Sequence, residues 1–370
     1  MGGSAKQKSK GKVLITGAGD FIGLRAVEMA VEAGYEVLAT DLPGQDLSKA
    51  KTAGAHTING DPSVHEQASG MIKGIDYVFH IGSGFDLTKT REELLKIHYE
   101  STQVLGRAAA EAKLKHFLLS STADAYSPDK RIPVTEDFKQ EAENDFSFAK
   151  VVAEQEIFRI GADTGMPVTV IRPSIIYGPG SIRRLSAFCV TAYFLSDLIG
   201  LVPKITGGPL INAVHVDDIV GSMIFLSGLN EADGQAFNVA DNDWLPVGEF
   251  LEKIWSALGV KWSSVVLYMP SNLTSVMAGL ANICFTDWAF DQINHFLQKQ
   301  WQRIVVDRKI KPVFNPMLDK TYFRYLIRDH VYDNTKLKQL GYQFRYPHFE
   351  SGIAQTMDWY RKAQWLPETI

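Results

Sequence analysis

The stretch KVLITGAGDFIGLRAVEMAVEAGYEVLATD, Lys12 to Asp41, decides the fold. Val13, Leu14 and Ile15 are a short apolar run of the kind that forms a strand buried on both faces. Gly17, Gly19 and Gly23 supply a turn, and Leu24 to Ala33 has the apolar spacing of a helix. A second strand, Tyr35 to Ala39, leads to Asp41, 18 residues past Gly23. Strand, turn, helix and acid at this spacing suit a dinucleotide: backbone N–H groups and a helix N-terminus meet the pyrophosphate, and the acid accepts from an adenosine ribose. The turn nominates Gly17, Gly19, Asp20, Phe21, Ile22, Gly23 and Asp41 for cofactor binding.

Strands and helices keep alternating after Asp41. Ala55 to Asn59 (AHTIN) reads as a third strand running to Asp61, and Tyr77 to Ile81 (YVFHI) as a fourth, followed by Gly82, Ser83 and Gly84. In open α/β sheets ligands sit where strand ends meet small residues, so Asp61, Ile81, Gly82 and Ser83 join the cofactor set. For Asp61 a plain loop acid before Pro62 is an equal reading. Arg91 to Ala112 is expected as one long helix, and Phe117 to Ser120 as a fifth strand. Phe146 to Ile160 is an amphipathic helix that carries Lys150. The strand Val168 to Ile171 runs into RPSIIYGPG, which adds Pro173 and Ile175. The fold class is α/β, a doubly wound parallel sheet with a smaller C-terminal domain.

Composition excludes several function classes. A chain of 370 residues buries a large core, and its net charge of -4 gives no reason to expect nucleic-acid binding. Cys189 and Cys284 form no CxxC pair and the nine histidines show no ligand spacing, so no metal site is expected and a reducing, cytoplasmic setting is. Residues 1–10 read as a disordered tail. Residues 11–180 read as the dinucleotide-binding domain, to which 208–243 returns, and 181–207 with 244–370 as the substrate domain. The aromatic-rich stretch 262–315 reads as core, as a lid over a large apolar substrate, or as a patch resting on a membrane surface. A small apolar substrate, peripheral membrane contact through 262–315 and a homodimer are the expected partners.

Several segments together resemble the extended short-chain dehydrogenases/reductases, the NAD-dependent epimerase/dehydratase superfamily, in its 3β-hydroxysteroid dehydrogenase-like branch. They are Thr16 to Gly23, Asp41, VFHIGS at Val78 to Ser83, LLSSTADAY at Leu118 to Tyr126, Lys150, RPSIIYGPG at Arg172 to Gly180 and HVDDIV at His215 to Val220. The likeness runs on through Tyr332, Asp333, Lys336, Leu340, Gly341 and Tyr342 to Trp359 and Tyr360. It implies an NAD-dependent oxidoreductase acting on a sterol, terpenoid or acyl-like hydroxy or keto compound. It also implies that Thr122 holds the substrate oxygen and that Lys150 assists a tyrosine base and the nicotinamide ribose. Asp41, followed by LPGQDL without a basic residue, favours NAD over NADP.

Three positions depart from the family pattern. The tyrosine expected four residues before Lys150 is Phe146, the middle glycine of the turn is Asp20, and His98 stands where an asparagine orders a water. Losing an acid-base group costs typically 10² to 10⁴ in rate. Three readings therefore stay open: a redox enzyme in which Tyr126, Thr122, Lys150 or the substrate takes the proton; a non-redox lyase, isomerase or cyclase using His98, Asp124 or Lys150; and a cofactor- or ligand-binding protein without the chemistry. Asp20 at the start of the helix reads either as a cap for exposed N–H groups or as a charge that weakens cofactor affinity through repulsion of the pyrophosphate.

Overall fold

In the computed structural model, residues 9–82, 89–127, 131–182, 184–270, 286–317 and 328–368 are described. Ser83 and Gly84, most of the N-terminal tail and residues 271–285 of the aromatic-rich stretch lie outside them. The chain forms two compact units, one of residues 1–174, 216–240 and 332–345, the other of 175–215, 241–331 and 346–370.

The first unit is built on β1 (Lys12–Thr16), whose Val13, Leu14 and Ile15 are fully buried. Around it stand β2 (Glu36–Asp41), β3 (His56–Asn59), β4 (Tyr77–His80), β5 (His116–Ser120) and β6 (Val168–Pro173). The second unit contributes β7 (Ile175–Tyr177), β8 (Val202–Gly207), β9 (Leu210–Ile211) and β10 (Ala213–His215). With β11 (Gln235–Val239) the first unit completes a seven-stranded sheet of order β11-β6-β5-β4-β1-β2-β3, parallel throughout. The strand order reverses between β1 and β4, which opens a crevice at their C-terminal ends. Leu14, Val78, Phe117, Leu105 and Ile157 are among the side chains that close the core on one face of this sheet, each contributing about 1.5–3 kcal/mol by burial.

The helices of this unit are α1 (Phe21–Glu32), α2 (Ser48–Thr52), α3 (His65–Met71), α4 (Arg91–Leu95), α5 (Ser101–Glu111), α6 (Asp145–Thr164) and, after the excursion into the second unit, α8 (Val216–Leu226). Helix α1 starts three residues before the expected Leu24 because Asp20 caps it, its carboxylate accepting from the Phe21 N–H at 2.8 Å. Helix α6 is bounded by an Asn144–Ser147 capping box and by Gly165 in the left-handed region, φ 72°. The single long helix expected over 91–112 is interrupted. Residues Lys96–Glu100 form a π-helical turn in which the Ser101 N–H donates to the Lys96 carbonyl. The hydroxyls of Ser101 and Thr102 donate to the Ile97 and His98 carbonyls, so carbonyl groups displaced from α-helical bonding keep partners.

The second unit holds α7 (Arg184–Ile199), β12 (Leu245–Pro246), α9 (Val247–Leu258), β13 (Trp262–Met269), α10 (Asp287–Arg308) and α12 (Phe349–Lys362). Its core includes Val190, Phe250, Trp255, Trp301, Phe349 and Tyr360. Among the described residues of 262–315 only part is core: Phe290, Leu297, Trp301 and Phe314 are buried, whereas Trp288 is exposed because α10 buries one face, and Val265 to Tyr268 of β13 are exposed as well.

The boundaries differ from the sequence reading in three places. The first unit ends at Ser174, not Gly180, the segment that returns to it is 216–240, not 208–243, and residues 332–345 with α11 (Thr335–Gln339) also return to it. Asn334 donates to the Ala240 carbonyl at 2.8 Å, and Asp218 accepts from the Arg345 N–H at 2.6 Å and from the Tyr342 hydroxyl at 3.2 Å.

Candidate active site

The C-terminal ends of β1, β2, β3 and β4 surround a cavity of about 220 Å³ whose lining includes Thr16, Gly17, Asp41, Asp61 and Gly82. That is below the roughly 300–1,000 Å³ of whole ligand pockets, so it accommodates part of a dinucleotide. The turn above β1 is backbone against backbone. A Cβ on Gly23 would stand 1.9 Å from the Gly17 carbonyl oxygen, and one on Gly17 would stand 2.5 Å from that of Gly82. Asp41 is buried, with its carboxylate accepting from the Gly19 N–H at 2.9 Å and the Leu42 N–H at 2.8 Å. Thr40 Oγ1, a buried atom without a hydrogen-bond partner among the described residues, belongs to a residue of the same wall. An unsatisfied hydroxyl beside a carboxylate and a glycine turn fits the polar edge of an adenosine ribose.

Asp61 accepts from Ser63 N–H at 2.9 Å and its hydroxyl at 2.6 Å, and Lys96 Nζ, from the π turn, comes within 3.7 Å of its other oxygen. Phe21 and Ile22 open α1, Pro173 ends β6, and Ile175 begins the second unit. Asp20 is exposed, and its carboxylate sits on the first N–H of α1, where the helix N-terminus offers a site for an anion.

The proton-handling groups gather beyond Gly82. Lys150, fully buried on α6, donates to the Ile81 carbonyl at 3.1 Å and the Ser120 carbonyl at 2.8 Å. Burial alone pushes its pKa down to about 7. One helical turn earlier Phe146 places its ring centroid 5.9 Å from Nζ and meets His98 edge to face at 5.3 Å. His98 is buried, and burial first, then the nearby Lys150 and His80, hold it well below its usual pKa, so it is neutral. Its Nε2 has no hydrogen-bond partner among the described residues. Gly82 has a φ of 75°, which strains any larger residue, and a Cβ there would stand 3.2 Å from His98 Nδ1, a contact that His98 must yield to by a few tenths of an ångström.

The remaining nominees stand in other surroundings. Thr122 caps the short 3₁₀ turn Ala123–Ala125, its hydroxyl accepting from the Asp124 N–H at 3.1 Å. The Tyr126 hydroxyl donates to Asn238 at 2.6 Å and accepts from Arg172 at 2.8 Å, and Arg172 is itself paired with Glu154. Burial pushes the Tyr126 phenol up, which suits a structural hydrogen-bond donor and not a base at neutral pH. Sequence reasoning missed His80, which bridges Thr16 Oγ1 at 2.8 Å and Ser101 Oγ at 3.2 Å, and it missed Lys96. The Ser101–Thr102 pair inside a helical pattern is the available signal for the π turn.

A family model described as the NAD dependent epimerase/dehydratase family matches residues 13–240. A 3-beta-hydroxysteroid dehydrogenase of Mycolicibacterium neoaurum is 27% identical over 284 residues, 72% of this chain and 75% of that protein. Dihydroflavonol 4-reductase of Zea mays is 26% identical over 244 residues, 60% of this chain and 68% of its own length. Among solved structures, dTDP-glucose 4,6-dehydratase from Bacillus anthracis in complex with NAD superposes with a TM-score of 0.67 at 18% identity, covering 96% of this chain and 97% of that one.

Proposed function

Because the chain belongs to the NAD dependent epimerase/dehydratase family, we propose that it is an oxidoreductase interconverting a hydroxyl and a keto group on an apolar substrate, with Lys150 exchanging the proton. The observation that carries this reading is the Lys150 amine, buried between two backbone carbonyls beside a ring that has no oxygen. A neutral amine has two N–H bonds and one lone pair. With both N–H bonds given to Ile81 and Ser120, the lone pair is left to accept a hydroxyl proton, and the resulting ammonium keeps both bonds. A pKa of about 7 populates both forms near neutral pH, where acid-base catalysis is most effective.

Bound NAD supplies the hydride acceptor, and Gly17, Gly19, Asp41 and Gly82 are the residues that would hold it. Neutral His98, with its free Nε2, is a positioning residue for the substrate oxygen or a water. Relatives named as a steroid dehydrogenase and a dihydroflavonol reductase support a sterol-like, terpenoid or acyl-like substrate.

The test follows nicotinamide absorbance with NAD or NADH and a panel of apolar 3-hydroxy and 3-keto compounds. Oxidation is expected to rise with pH through about 7, as Lys150 loses its proton, and Lys150→Met is expected to abolish it. A profile flat between about pH 6 and 9 overturns the assignment to Lys150. Silence across the panel with NADH still binding would favour non-redox proton transfer, for which the unpartnered His98 nitrogen is the supporting observation.

A further inference from the structure

The chain carries a net charge of -4, yet the segment Lys299 to Lys311 holds Lys299, Arg303, Arg308, Lys309 and Lys311 against one carboxylate, Asp307. Most of this segment is the second half of α10, a helix of 22 residues and so about 33 Å long. One face of α10 is buried through Phe290, Leu297, Trp301 and Ile304. At spacings of seven or eight, eleven, fifteen and eighteen residues from Trp288, the opposite face brings His295, Phe296, Lys299, Arg303 and Val306 into one stripe. Asp291 and Asp307 fall on its flanks, so this face itself displays cations, rings and a branched aliphatic.

Trp288 and Val306 of that stripe are held out in solvent, 71% and 73% exposed, and Phe296, which meets Phe194 edge to face at 5.1 Å, is 42% exposed. In the same unit Val265, Val266, Leu267 and Tyr268 of β13 are four consecutive apolar residues, each at least half exposed, so both faces of the strand are bare. Trp288 and Phe296, followed by Lys299 and Arg303 and then Val306, share one helix face, and rings and cations on one face are the combination that seats a helix in the headgroup region of a bilayer. Among the described residues no helix is long and apolar enough to cross a membrane, so the contact is a surface one.

We propose that the exposed face of α10 docks on an anionic lipid surface, its basic side chains pairing with lipid headgroups and Trp288, Phe296 and Val306 entering the interface. Charge complementarity selects this occupant, because a second copy of the chain would bring the same cations against each other. The proposal does not depend on the oxidoreductase reading, although such a surface is where an apolar hydroxy or keto compound partitions.

The experiment is vesicle flotation of the whole protein with phosphatidylcholine vesicles, with and without phosphatidylserine. Binding is expected to the anionic vesicles only and to fall with added salt. Lys299→Glu with Arg303→Glu is expected to lower it by about tenfold or more, and Trp288→Ser with Val306→Ser to lower it comparably. Unchanged thermal unfolding of both variants would show that the fold is intact. Failure to float with anionic vesicles overturns the proposal. So does a wild-type dimer that the Trp288→Ser, Val306→Ser variant turns into a monomer, since the face would then be an interface between copies.

Discussion

Phe146 is nearly isosteric with tyrosine, so its ring keeps the shape a tyrosine would have, and Lys150 Nζ on the same helix lies 5.9 Å from its centroid. Restoring the oxygen supplies a second base beside a cation that lowers its pKa. Phe146→Tyr is expected to raise dehydrogenase turnover by up to ~10², read from NADH formation, and a fall in turnover would show that the phenol occupies the Lys150 lone pair. Asp20 acts at the other end of the site. Its carboxylate caps α1 at the helix N-terminus, an end that favours anions; if a pyrophosphate binds there, the two charges repel, and Asp20→Gly is expected to tighten NAD binding several-fold by calorimetry while costing a few tenths of a kcal/mol in stability. Unchanged or weaker binding would refute the repulsion. The depressed pKa of Lys150 is also a statement about stability. The unfolded chain binds that proton up to about pH 10.4 and the folded chain only up to about 7, so stability rises with pH across this window, by up to about 1.4 kcal/mol per pH unit. Urea unfolding of Lys150→Met from pH 7 to about 10 is expected to lack that slope.

The elements differ in how far the chain declares them. Strand β1, the glycine turn and α1 are local: apolar run, small residues and helical spacing agree within thirty residues, and the structure departs only where Asp20 moves the helix start. Helix α6 is likewise legible from its apolar spacing over Phe146 to Ile160, and the capping box and Gly165 set its observed bounds at Asp145–Thr164. The π turn at Lys96–Glu100 is hidden, because apolar spacing alone reads through it as one helix. Its consequence is positional, since one extra residue in the turn rotates His98 toward Gly82 and Phe146. Gly82→Ala tests this crossing: the added methyl group meets His98 and must also take a φ of 75°, so turnover is expected to fall by ~10-fold or more with a stability loss on the order of 1–2 kcal/mol by thermal unfolding.

On the scale of the molecule, residues 332–345 complete the dinucleotide unit although the chain leaves it for the second unit before returning. Buried Asp218 is the fastening point, and Asp217 alongside it pairs with Arg25 at 2.7 Å and Arg345 at 3.0 Å. Asp218→Ala is expected to destabilise this unit by about 1–3 kcal/mol, lowering the melting temperature, because the Arg345 N–H loses its carboxylate acceptor while the Tyr342 hydroxyl keeps only the main-chain carbonyl of residue 218, at 3.0 Å. By itself the sequence determined the parallel α/β architecture, the family and the place of Asp41 at the end of the second strand, since each rests on residues close together in the chain. Only the tertiary structure decided the surroundings of Lys150 and the hydrogen bonds of Tyr126. Lys150 is held by carbonyls 69 and 30 residues away, and the desolvation that sets its pKa comes from every element packed around it.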